Sequence, residues 1–144
     1  MWYINKTNLW GNFMSEIHDN IIKSYFVDFE NQNIVFNTVY HCNDIHEITI
    51  ITFNNVMAYF FKDELNGSII FDIEEISLEY FINENKNILD TEKNYGWPFP
   101  YKDEEEFIEI LNKNKQKYYV INSSYGLNGW ILADEMKIDV SMMK

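Results

Sequence analysis

The side chains best suited to chemistry gather in one decapeptide, TVYHCNDIHE, at positions 38–47. It holds two of the three histidines, the single cysteine, and the carboxylates of Asp44 and Glu47. Imidazole and thiolate are ordinary zinc ligands, and a cysteine near a histidine pairs a nucleophile with a base. Both chemistries require the groups to converge. Strands ending at His41 and restarting at His46, around a loop 42–45, make the two histidines direct cross-strand neighbours. Side chains alternate faces along a strand, so Cys42 and Glu47 point away from them. Two histidines are too few for a structural zinc, and neither C-x-x-C nor H-E-x-x-H occurs. The decapeptide reads as strand, turn and strand, with no metal, no cofactor and no catalytic residue assigned to it.

His18-Asp19, in SEIHDNII, is a pairing that ligates metal in some hydrolases, but only with further histidines and aspartates at helical positions. Here the two side chains are expected to hydrogen-bond backbone where the first strand begins. SSYGLNGW at 123–130 lacks both G-x-S-x-G and the P-loop pattern. Gly126 and Gly129 are expected to supply positive φ angles in a tight connection.

YGWPFPYKDEEE at 95–106 offers a binding surface instead. Trp97, Phe99 and Tyr101 alternate along a proline-stiffened loop, and Asp103, Glu104, Glu105 and Glu106 follow at once. Aromatics beside a charged rim are the ingredients of a protein–protein hot spot. The competing reading is that Trp97 and Phe99 cap the core, with the acids serving a helix N-terminus.

The elements that position these groups follow from pattern. IIKSYFVDF at 21–29 and IVFNTVYH at 34–41 alternate around ENQN, which predicts a β-hairpin. EITIITF at 47–53 is a strand that VMAYFF at 56–61 continues past an Asn-Asn bulge or turn. IIFDI at 69–73 follows an Asn66-Gly67 turn. Apolar residues from Leu78 to Leu89 keep helical spacing after a Ser77 cap, with Asn85 interrupting the face, and an alternating strand is the competing reading. Asp103 caps a helix over 103–114 whose buried stripe is Phe107, Ile110 and Leu111. Strands at 117–124, 130–133 and 135–140 close the chain. The expectation is an α+β domain spanning 1–144: a mostly antiparallel sheet of six to seven strands with one or two helices.

Composition narrows the function. Among 144 residues, 23 are acidic and 11 basic, a formal net charge of −12, and every basic residue is lysine. Nucleic-acid binding wants a basic footprint and arginine forks, so DNA and RNA are excluded as partners. A basic protein would be steered by this field. One cysteine suits a reducing compartment, Met1–Phe13 lacks the form of a secretory signal, and no apolar run reaches the roughly 18 residues of a membrane helix. A cytoplasmic protein with no membrane partner is expected.

The order IHDNII, an extended strand pair, ITFNNV, IIFDIEE and SSYGLNGWIL resembles toxin-immunity families, small bacterial proteins encoded near polymorphic toxins. The matching positions are His18 and Asp19 before a strand, then Phe53 and Val56 in an F-x-x-V step. The resemblance implies a β-rich domain without catalytic activity that binds a cognate toxin and blocks its active site or substrate access. Many such toxins attack nucleic acid and carry basic surfaces, which an acidic partner matches. Two other classes stay open: a metal-dependent enzyme or sensor using His41, His46 and His18, and a structural or small-ligand-binding domain.

Overall fold

In the computed structural model, which describes residues 17–142, eight strands form one sheet. Met1–Phe13, read above for a secretory signal, lies outside those residues. The strands are β1 (Ile21–Asp28), β2 (Asn33–Cys42), β3 (Ile45–Asn54), β4 (Ala58–Lys62), β5 (Ile69–Ile76), β6 (Lys117–Tyr125), β7 (Asn128–Ala133) and β8 (Glu135–Met142). Three helices, α1 (Leu78–Glu84), α2 (Lys86–Glu92) and α3 (Glu104–Lys113), lie between β5 and β6. The sheet order is β4-β7-β6-β5-β1-β2-β3-β8, with every neighbouring pair antiparallel.

That order places β4 at one end of the sheet and β3 next to the other, yet only residues 55–57 separate them in the chain. Only Asp134 separates β7 from β8. The two ends of the sheet therefore meet, and the sheet rolls up. β3–β8 and β4–β7 form one antiparallel ribbon bent through a corner, with Asn54 opposite Glu135 before the bend and Ala58 opposite Leu132 after it. Asp134 N–H donates to Asn54 O across the corner at 3.0 Å, and Met57 N–H to Leu132 O at 3.0 Å. Asn55 turns there with φ 52°, a conformation that asparagine tolerates better than most residues. The buried Gln116 amide donates to Asn55 O at 2.9 Å and braces the bend.

Strand alternation fills the roll. Ile34 and Phe36 of β2, Ile51 and Phe53 of β3, and Ile121 and Ile131 of β6 and β7 point inward and are almost fully buried. Rings meet across the interior: Phe61 of β4 lies 5.2 Å from Tyr25 of β1, and Phe53 lies 5.4 Å from Tyr119 of β6. β1 and β5 touch narrowly, with the single ladder pair Ile21 and Ile69.

A second core lies outside the roll. Ala58, Tyr118, Trp130 and Leu132 face outward from β4, β6 and β7 and receive Phe81, Leu89, Phe107 and Leu111 from the helices. β7 is consequently buried on both faces from Trp130 to Ala133. Asp103 caps α3: its extended backbone frees Oδ1 to accept from Glu106 N–H at 2.8 Å.

The structure corrects three expectations. The sheet has eight strands rather than six to seven, because the Asn55 corner makes 47–53 and 56–61 separate strands. Among the described residues there are three α-helices rather than one or two, because the segment after Ser77 breaks at Asn85. The Asn85 side-chain amide turns back to Phe81 O at 2.9 Å and reaches the Tyr118 hydroxyl at 3.3 Å. Ser77 holds the N-cap position without a side-chain capping bond. Among the described residues, no helix is long and apolar enough to cross a membrane.

Candidate partner-binding site

Between α1, α2 and the start of α3 lies a cavity of about 230 Å³. Ile82, Leu89 and Phe107 give it an apolar floor; the same Leu89 and Phe107 belong to the outer core. Asp90, Asp103 and Glu104 supply carboxylates to its lining, and Lys86, Lys93 and Lys102 supply cations. Lys93 is already engaged: its ammonium donates to Lys102 O at 2.6 Å and lies 5.0 Å from the centre of the Tyr101 ring. Burial raises the Tyr101 hydroxyl pKa, and the nearby Asp90 and Glu104 carboxylates push it the same way. An apolar floor under a charged rim suits a long side chain with an apolar stem and a polar head.

The seven residues singled out in the sequence divide. Tyr101, Asp103 and Glu104 come together on the cavity. Glu105 is exposed but does not line it. Glu106 is half-buried, and its carboxylate accepts from Lys102 N–H at 3.0 Å, which commits it to the turn. Phe99 stacks on Phe107 at 4.8 Å, while Tyr101 meets the same ring edge-on at 4.8 Å. Trp97 packs 5.9 Å from Trp130. Trp97 and Phe99 thus cap the outer core. Asp90, Lys86, Ile82 and Leu89 were not singled out, though their signal was present. Positions 82, 86, 89, 90 and 93 follow helical spacing and trace one stripe toward the cavity.

In the opening decapeptide, His41 and His46 are direct ladder partners. The strands run one residue further than expected, to Cys42 and from Ile45, leaving Asn43 and Asp44 as the turn; Asn43 takes φ 54°. Both imidazoles are exposed, their Nδ1 atoms touch, and their ring centres are 4.7 Å apart. Cys42 and Glu47 alternate to the other face, where Glu47 is buried. Burial chiefly raises the Tyr40 pKa on that face, helped by a hydrogen bond with Cys42. Among the described residues, no group of three or more His, Cys, Asp or Glu side chains is arranged to hold a metal.

The His18 and Asp19 side chains meet each other, Nδ1 to Oδ2 at 3.0 Å. It is the Asp19 main chain, at φ 67°, that donates to Ile70 O at 2.9 Å. Phe53 is a core residue, and Val56 packs against the same core while its N–H donates to Gln32 O at 2.8 Å. Gly126 has the expected positive φ, 82°, but Gly129 does not. Gly129 is small for another reason: a Cβ there would stand 2.0 Å from Phe60 O on the neighbouring strand.

The fold and cavity define a class, a rolled antiparallel sheet with a helical flank that carries an open surface site. Comparison with protein-family models, curated proteins and solved structures finds no match to this chain.

Proposed function

We propose that the chain is an immunity-type protein that binds a basic bacterial toxin and neutralises it by occlusion, without catalysis, through the surface around the helical cavity. One observation carries this reading: Tyr101, Asp103 and Glu104 line a cavity of about 230 Å³ whose floor is apolar. A lysine or arginine from a partner can lay its alkyl stem on Ile82, Leu89 and Phe107 and bring its cation to Asp90 and Glu104. The net charge of −12 accelerates the encounter and makes it sensitive to salt. The resemblance to immunity families points the same way, through His18, Asp19, Phe53 and Val56.

The test is co-expression with the product of the adjacent reading frame. A stable complex that relieves that protein's toxicity, and that Asp90→Lys together with Glu104→Lys weakens, is the expected outcome. Unrelieved toxicity with no complex formed overturns the reading.

A further inference from the structure

We propose that His41 and His46 form a two-imidazole site for a transition-metal dication of the Zn²⁺ and Cu²⁺ type. The backbone supplies the first part of the case. β2 and β3 pair without a break from Ile34 opposite Phe53 to Cys42 opposite Ile45, so the two histidines are held side by side in a hydrogen-bonded ladder. Their imidazoles complete it. The rings incline at 66° with centres 4.7 Å apart, and Nδ1 of one contacts Nδ1 of the other. Two imidazole nitrogens in contact require one to donate and the other to accept, so both nitrogens already aim at a common point.

A metal ion takes the place of the shared proton. Metal–nitrogen distances of about 2.0–2.1 Å set two ligand nitrogens roughly 3 Å apart, so the rings need only open slightly. Both side chains are exposed and free to do so. For both Nδ1 atoms to ligate, the donor ring gives up its Nδ1 proton and takes one from solvent at Nε2. One N–H bond breaks, another forms, and each ring stays neutral while giving the metal a lone pair.

The surroundings select the class of ion. Glu47 and Cys42 lie on the opposite face of the strands, so neither carboxylate nor thiolate from those positions joins the pair. Two nitrogens favour imidazole-preferring ions over Mg²⁺ and Ca²⁺, with Cu²⁺ ahead of Zn²⁺. The remaining coordination positions face solvent and stay open to water. This is an exchangeable surface site, distinct from the four-ligand structural zinc that the sequence excludes. It does not depend on the cavity or on a toxin partner.

The experiment uses untagged, chelator-stripped protein titrated calorimetrically with ZnCl₂, and with CuCl₂ under electron paramagnetic resonance. Saturation at one ion per chain, a copper spectrum with two coupled nitrogens, and at least a tenfold loss of affinity in both His41→Ala and His46→Ala are expected. His18→Ala should bind as the parent does. Circular dichroism confirms that the variants keep their fold, which substitutions at exposed positions permit. Absence of saturable binding overturns the proposal. So does affinity that survives His46→Ala, or that falls equally in His18→Ala.

Discussion

Ser68 fills the space that a side chain on Gly126 would need: a Cβ at Gly126 would lie 2.1 Å from Ser68 Oγ. That hydroxyl donates to Leu65 O at 2.7 Å and accepts from Leu127 N–H at 2.9 Å, so it ties the turn before β5 to the turn between β6 and β7. Gly126→Ala forces a methyl into this contact at φ 82° and is expected to cost about 2–4 kcal/mol. Ser68→Ala leaves the Leu127 N–H buried without its acceptor and is expected to cost about 1–3 kcal/mol. Because the two residues touch, their effects should not add, which a double-mutant cycle by urea denaturation measures. Strict additivity would separate them.

Gly129 makes a different prediction, because its constraint is a neighbouring backbone rather than a side chain. A Cβ there meets Phe60 O at 2.0 Å and the Phe60 carbonyl carbon at 3.0 Å. Gly129→Ala should lift β4, which among the described residues has only β7 as a ladder partner, away from the sheet. Amide exchange should accelerate across Ala58–Lys62 while β2 and β3 keep their protection. Uniform loss across all strands would contradict this local account.

Asp103 belongs both to the cavity and to the helix. Asp103→Ala removes the acceptor for Glu106 N–H and should lower stability by about 1 kcal/mol. Asp103→Asn retains a capping oxygen and should recover most of that loss while removing the charge. Equal destabilisation by the two substitutions, measured by chemical denaturation, would argue against a capping role.

Glu104 and Glu105 are adjacent and chemically alike, but only Glu104 lines the cavity. Glu104→Lys should weaken binding of the proposed basic partner by about 1–2 kcal/mol, and Glu105→Lys by well under about 1 kcal/mol. Phe99→Ala, which unstacks a ring from Phe107, should lower stability by about 2 kcal/mol. Binding calorimetry beside thermal melts separates these roles; a larger effect from Glu105 would move the interface elsewhere.

Alkali should unfold the protein through its tyrosines. Burial chiefly, with Glu75 nearby, pushes the Tyr119 hydroxyl from 10.0 up to about 12. A hydrogen bond to Glu64, followed by burial, pushes Tyr25 from 10.0 up to about 12. A folded-state pKa above the unfolded value means that the folded chain holds its protons longer. The associated stability is full below about pH 10 and is lost as pH rises from about 10 to about 12. Denaturation midpoints should therefore fall across that window, and fall less steeply in Tyr25→Phe/Tyr119→Phe. An unchanged slope in the double variant would rule these hydroxyls out.

Local pattern made much of this legible. Alternation located β1, β2 and β3 to within about two residues, and the Asp103 cap with its acidic first turn located α3. The His41–His46 pairing followed from strand geometry alone. Contacts between distant segments were harder to read. Nothing local in ITFNNVMAYFF tells that Asn55 is a corner carrying the chain to the far end of the sheet order. The Asn85 break was visible as a polar interruption, but its partner, the Tyr118 hydroxyl, arrives from β6. The cavity was half legible for the same reason: Tyr101 to Glu104 announce themselves by composition, whereas the helical spacing of Lys86 and Asp90 does not by itself say what they will face.

The bent ribbon also sets an order of events in folding. Glu47 pairs with Met142, and the whole of β4 to β7 lies between them in the chain. During synthesis β3 emerges with β2 to pair with and then waits, one edge open, until β8 exists. Such distant closure is slow, and an open strand edge recruits other chains. A nascent chain halted before Glu135 should thus be the form most prone to aggregate, and the alternating charges Glu135, Lys137 and Asp139 place a guarded strand on that edge once synthesis passes it.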